Sequence, residues 1–214
     1  MFKKKPFFIV FEGVEGCGKS FQSKKLFNTL KRNKINSILT REPGGTKSSE
    51  LIRNLILKDY FEKKNKEKFD RYTDTLLYLA ARNEHIKNKI KPALLKKKIV
   101  ICDRFTDSTL AYQVYGKKVD IEFINNIHKK ILDGIKPNIV FVLKVDEKIS
   151  RARLKKRKIK NRYDKFSKSF YSKAQNSFLN IAKNKKNYYV LNSSSNDSTL
   201  EKKIFDIVNK YLNI

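Results

Sequence analysis

Residues 11–20, "FEGVEGCGKS", place Gly13, Gly18, Lys19 and Ser20 at the spacing of a loop that wraps phosphate. Upstream, "PFFIVFEG" is a continuous apolar run ending in glycine, which reads as a buried parallel strand. Downstream, Phe21, Leu26, Phe27 and Leu30 recur at helical spacing over Lys19 to Asn33. Strand, glycine loop and helix are what such a loop needs. Glycines let successive N–H groups turn inward, and the helix N-terminus adds positive potential. Lys19 can then reach the β- and γ-phosphates, and the Ser20 hydroxyl can ligand Mg²⁺. An ordinary glycine turn would not require both flanking elements. The expected ligand is a purine nucleoside triphosphate with Mg²⁺.

Further strands are expected at "SILT" (37–40), "KKIVICDR" (97–104), "NIVFVLKV" (138–145) and "YYVLN" (188–192). Helical patterns fill 46–58, 72–90, 106–115, 120–133, 147–157, 166–184 and 199–212, the last opened by Ser198 and Glu201 as a capping box. Strands alternating with helices predict an α/β chain, a five-stranded parallel sheet covered on both faces in a P-loop NTPase-type three-layer fold. Residues 1–214 are expected to form a single domain, with a lid segment at about 150–165 inserted in it. "DYFEKKNKEKFDR" (59–71) reads as a charged surface loop. No solenoid repeat or Gly/Ser/Pro linker is visible.

Fifty Lys and Arg against 21 Asp and Glu give a formal charge of +29. Such a field attracts polyanions, so a basic nucleic-acid-binding P-loop module is one reading. The other is coding bias: most of the excess is Lys, scattered through helix patterns beside many Asn and Ile. The N-terminal "MFKKKPFFIVFEG" does not read as a signal peptide, and no apolar run approaches bilayer length. Cys17 and Cys102 make neither a disulfide framework nor metal-ligand spacing. These features predict a cytoplasmic protein with no membrane partner.

Asp103 ends the "IVIC" strand, where a carboxylate faces the ligand crevice and can hold Mg²⁺ through water. In a chain that favours lysine, Arg41, Arg53, Arg82 and Arg104 stand near strand ends or inner helix faces. Arg151, Arg153, Arg157 and Arg162 cluster in "SRARLKKRKIKNRYD". Arginine persists where a flat bidentate fork matters, as with phosphate. The cluster reads as a lid closing on the triphosphate, against the alternative of a solvated basic helix. His85 and His128 lie in no motif and read as surface helix residues.

"EGVEGCGKS", "REPGGT" (41–46), "LLYLAAR" (76–82), "DRFTDSTLAYQ" (103–113) and the arginine-rich 153–162 segment occur in that order. Together they resemble the thymidylate kinases, which phosphorylate dTMP to dTDP with ATP, and the resemblance spans almost the whole chain. It implies a homodimer packed through helices around 72–90 and 106–133, and dTMP and ATP as small-molecule partners. It implies an ATP site at Gly13, Gly16, Cys17, Gly18, Lys19, Ser20 and Phe21. Glu15 would hold the 3′-hydroxyl of dTMP, Arg53 and Arg104 its phosphate, and Arg82 the thymine edge. Tyr78, where the family more often has Phe, would stack on the ring. Thr109 and Gln113 would meet the base, and Tyr112 would crowd the sugar 2′ position. The variable loop positions Val14, Glu15, Gly16 and Cys17 hold no arginine, so the chain resembles the type that draws its catalytic arginine from the lid. Arg157 is then expected to supply transition-state charge, with Arg153 next and Lys155 where a further arginine would be expected. Another nucleoside monophosphate kinase, for dCMP, UMP or GMP, is the alternative.

Overall fold

The computed structural model describes residues 5–58, 68–156, 167–195 and 198–212. Five parallel strands form one sheet: β1 (Phe7–Glu12), β2 (Ser37–Arg41), β3 (Ile99–Asp103), β4 (Ile139–Lys144) and β5 (Tyr188–Asn192), in the order β2-β3-β1-β4-β5. Every residue of β1 and β3 is buried, as is all of β4 except Lys144. Strands covered on both faces lose the polar alternation of a half-exposed sheet, which is why these three read as unbroken apolar runs. The edge strands β2 and β5 are only part-buried. Phe8 meets Phe105 edge-on at 5.0 Å, fastening the loop after β3 to the central strand.

The helices are α1 (Lys19–Arg32), α2 (Lys47–Leu57), α3 (Arg71–His85), α4 (Lys91–Leu95), α5 (Thr106–Thr109), α6 (Ile121–Ile131), α7 (Glu147–Lys155), α8 (Lys168–Ala182) and α9 (Thr199–Leu212). Side chains of Asp70, Asp120 and Asp146 accept from the N–H two residues on, and those of Thr46 and Ser167 from the N–H three residues on, capping α3, α6, α7, α2 and α8. Glu201, on the first turn of α9, lies 3.3 Å from Lys25 Nζ. Phe21, expected on the packed face of α1, is 56% exposed, while Leu26 and Leu30 fill the core.

Two helices depart from the expected pattern. The one expected at 72–90 continues through a π-helical turn, Ile86–Ile90, into α4. Pro92 falls at the start of α4, directly after the π-helical turn. The one expected at 106–115 is α-helical for a single turn and π-helical from Leu110 to Gly116. Widened turns of this kind concentrate at functional sites, and this one carries Tyr112 and Gln113.

The strand order reverses around β1, whose neighbours are β3 and β4. Ligands of open α/β sheets sit outside the carboxyl ends of the strands at such a switch point. Among the described residues no helix is long and apolar enough to cross a membrane.

Candidate active site

A cleft of about 370 Å³ opens at those carboxyl ends. Glu15, Gly16, Gly18, Lys19, Ser20 and Phe21 line one part; Arg53, Tyr78, Arg82, Asp103, Arg104, Thr109, Tyr112, Gln113 and Arg153 complete it. Most of the residues expected at the site are therefore brought together. Gly13 and Cys17 are exceptions. A Cβ on Gly13 would sit 2.6 Å from the Leu143 carbonyl oxygen, and Cys17 is wholly buried beneath the loop. Gly16, at φ +73°, faces α7 so closely that a Cβ would lie 2.7 Å from the Ser150 carbonyl oxygen. The Lys19 ammonium donates to the Val14 carbonyl at 2.8 Å and lies 3.6 Å from Cys17 Sγ.

Ser20 Oγ donates to Asp103 Oδ2, and the other carboxylate oxygen, Oδ1, is buried with no hydrogen-bond partner. Among the described residues no three His, Cys, Asp or Glu side chains gather around one point. A hydroxyl and one carboxylate with a spare oxygen suit a hard cation that takes its remaining ligands from phosphate and water.

Beside the loop, Arg104 holds a left-handed backbone, φ +74°, a strained state for arginine that the surrounding bonds enforce. Its N–H donates to Phe11 O at 2.9 Å. Its Nη1 donates to Gly13 O at 2.9 Å and Ser108 Oγ at 3.0 Å, and its Nη2 to Glu15 Oε1 at 2.8 Å. Tyr112 donates its hydroxyl to Glu15 Oε2 at 2.6 Å. A lone carboxylate next to bound phosphate would be repelled; here an arginine and a phenol balance it.

Glu12, not singled out in the sequence, organises this turn from beneath. It accepts from the N–H groups of Phe105 (2.8 Å) and Ser108 (3.2 Å) and from Ser108 Oγ (2.6 Å). Burial, then the charge of Asp107, raises its pKa from 4.5 to about 7. Between those values the folded protein keeps a proton that the unfolded chain has released. The stabilising contribution is therefore full below pH 4.5 and is lost as pH rises through about 7. Glu12→Gln keeps the amide acceptor and removes the titration. Its stability relative to the parent is expected to improve by about 3 kcal/mol from pH 4.5 to pH 7.5. Denaturant melts at several pH values test this, and parallel pH profiles would remove Glu12 as the source.

At the far end Arg82 is buried, correcting no expectation about its place but adding a set of partners. Nε donates to Glu42 Oε2 at 2.7 Å, Nη1 to Thr109 Oγ1 at 2.8 Å and Nη2 to the Phe105 carbonyl at 2.8 Å. His128 Nε2 lies 2.7 Å from Nη1. His85 meets Thr40 Oγ1 with Nε2 at 2.6 Å and Glu42 Oε1 with Nδ1 at 3.1 Å. Both histidines, expected on the surface, are in fact buried. The signal was spacing: His128 follows the buried Ile124 by four residues, and His85 follows Ala81 by four. Gln113 is 1% exposed and its Nε2 has no partner, leaving amide N–H groups available to a ligand. Arg53 Nη1 donates to Pro43 O at 2.6 Å.

Arg153 is tied to the backbone. Its Nη1 donates to Gly16 O at 3.3 Å, and its Nη2 to Ser193 O at 2.9 Å and Ser194 O at 3.3 Å. It thereby joins the phosphate loop to the turn after β5, the "NSSSND" stretch (192–197). Arg151 pairs with Glu147 at 2.8 Å, and Lys155 is exposed at the end of α7. Arg157, Arg162 and residues 196–197 lie outside the described residues.

A phosphate loop at the switch point of a parallel sheet, facing a cleft that ends in buried hydrogen-bond donors, defines a P-loop kinase of small nucleotides. A family model for thymidylate kinase matches residues 11–204. The chain is 44% identical over 180 residues to the thymidylate kinase of Wolbachia sp. subsp. Brugia malayi, covering 83% of this chain and 82% of that protein. It is 36% identical over 212 residues to that of Mycoplasmoides gallisepticum, covering 98% and 97%. The crystal structure of the thymidylate kinase from Ehrlichia chaffeensis superposes with a TM-score of 0.74 at 32% identity, over 95% of this chain and 99% of that one. The chain belongs to the thymidylate kinase family.

Proposed function

We propose that the protein phosphorylates dTMP to dTDP with ATP, by in-line transfer of the γ-phosphoryl group to a phosphate oxygen of dTMP. The observation that carries this reading is one cleft with a phosphate loop at one end and the buried donors of Arg82 and Gln113 at the other. Thymine offers the O4 acceptor where cytosine presents an amino donor, so donors at that end favour thymine or uracil.

Lys19 and the loop N–H groups would hold the triphosphate, with Phe21 beside it. Arg53 and Arg104 would bind the dTMP phosphate. Glu15, already an acceptor for Tyr112, would take a hydrogen bond from the sugar 3′-hydroxyl. Tyr112 would leave no room for a 2′-hydroxyl, and Tyr78 would stack on the ring with Thr109 beneath. Ser20 and Asp103 would hold Mg²⁺, which when bound neutralises developing charge on the transferred group and the β-phosphate. The acceptor phosphate has a second pKa of about 6, so no protein base is needed. What remains is positioning and charge: Lys19 and Arg157 would supply charge to the transferred group, and Arg153 would shape the nucleotide site.

The free, buried Cys17 and Cys102 agree with a reducing cytoplasm. The half-exposed Leu76 on α3 and Ile121 on α6 lie on helices that we assign to a homodimer interface. The test is direct. Protein, ATP, Mg²⁺ and dTMP are expected to yield dTDP and ADP in equal amounts, and chelation should stop both. ADP without dTDP, or turnover indifferent to chelation, would remove this reading.

A further inference from the structure

No residue of α6 lines the cleft, yet its His128 touches the residue at the base-reading end. Arginine has only donors, so the 2.7 Å contact with Arg82 Nη1 requires an unprotonated Nε2 on His128 and places the ring proton on Nδ1. Burial, and then the charge of Arg82, lowers the His128 pKa to about 3, so this form persists through the working pH range. The two Nη1 protons of Arg82 are thus divided between Thr109 and His128. Nε is taken by Glu42 and one Nη2 proton by Phe105 O, which leaves a single Nη2–H. Four acceptors, from the end of β2, the loop after β3, α5 and α6, fix the guanidinium plane.

We propose that His128 is a positioning residue for base recognition: by accepting from Arg82 Nη1 it fixes the direction of the one N–H left for the nucleotide. Without this acceptor a buried N–H of a cation is orphaned, and the fork gains by turning to find another partner. Binding-competent protein then becomes a fraction of the total, and the apparent affinity for dTMP falls by that fraction. The inference rests on the reading of Arg82 as the residue that faces the base.

The test compares the parent with His128→Leu, His128→Gln, His128→Asn and Arg82→Lys. Leucine fills the space without an acceptor. Glutamine puts an amide oxygen near the place of Nε2, whereas the amide of asparagine stops short of it. In His128→Leu and His128→Asn, KM for dTMP is expected to rise about tenfold and the dTMP-over-dCMP preference to fall, with KM for ATP and kcat within about twofold. His128→Gln should recover most of the loss. If His128→Leu does not fold, the Gln and Asn pair carries the same comparison. Equal behaviour of Gln and Asn, or a loss spread over kcat and both KM values, overturns the positioning role. An Arg82→Lys protein with unchanged base preference overturns the reading of Arg82 itself, and this inference with it. Altered preference in Arg82→Lys beside unaffected His128 variants overturns this inference alone.

Discussion

Replacing Arg157 by alanine is expected to lower turnover about a thousandfold or more while dTMP affinity stays within about twofold. The transferred phosphoryl group spreads negative charge over its oxygens, and the transition state needs cations that are not already committed. In the described cleft, three donors of Arg104 are held by Gly13, Ser108 and Glu15, and the rest are proposed for the dTMP phosphate. Arg153 spends its donors on three backbone carbonyls, which suits it to shaping the nucleotide site. Arg41 shares Glu50 with Arg53 on the acceptor side. Among the phosphate-loop residues Lys19 is the cation at hand. On the proposed reading, further charge comes from the arginine-rich segment after α7, with Arg157 first in it. Arg153→Ala is expected to act differently, raising KM for ATP about tenfold with a smaller effect on kcat. Initial rates over a grid of ATP and dTMP separate the two. A larger kcat loss in Arg153→Ala would exchange the roles.

Glu42→Gln is expected to destabilise the fold by about 3–5 kcal/mol, because breaking a buried ion pair leaves a charge without its counterion. Glu42 and Arg82 are 4% and 3% exposed in their side chains and 2.7 Å apart. The same carboxylate accepts from His85 Nδ1, and a glutamine offers one acceptor where two donors converge. For a chain of this size the melting temperature should fall on the order of 10 °C. Burial pushes the Glu42 pKa up, but the Arg82 charge and the His85 hydrogen bond outweigh it and leave it below the ordinary glutamate value of 4.5. Its stabilising contribution is therefore present above pH 4.5 and lost as pH falls through the lowered folded value. The gap between parent and Glu42→Gln should narrow correspondingly in acid. Thermal melts from pH 3 to pH 8 measure this, and a gap that is small at neutral pH would contradict the account.

How much of this could be read from the letters depends on how far each residue's partner lies along the chain. The central strands were legible because burial on both faces strips them of polar residues, and "YYVLN" ended where β5 ends. Helix starts followed their caps, as Asp120 and Asp146 show. The π-helical turns after His85 and Thr109 left no mark, since their residues fit an ordinary helical period. The motifs located the cleft through Gly18, Lys19, Asp103 and Arg104, all within short range of a strand end. The spacing of His128 from Ile124 marked its face, but its partner Arg82, 46 residues away, could not be read from the sequence. Glu42 stood in the quoted "REPGGT" but gained a role only when the fold brought α3 over β2.

The measurement that bears most directly on the account is a coupled ADP-release assay with ATP and Mg²⁺, offering dTMP, dUMP, dCMP, UMP and dGMP in parallel. Donors from Arg82 and Gln113 predict strong turnover with dTMP, weaker turnover with dUMP, and a loss of about a hundredfold or more in kcat/KM for dCMP. A preference for dCMP or dGMP would leave the phosphate loop's chemistry standing and contradict the base-reading site.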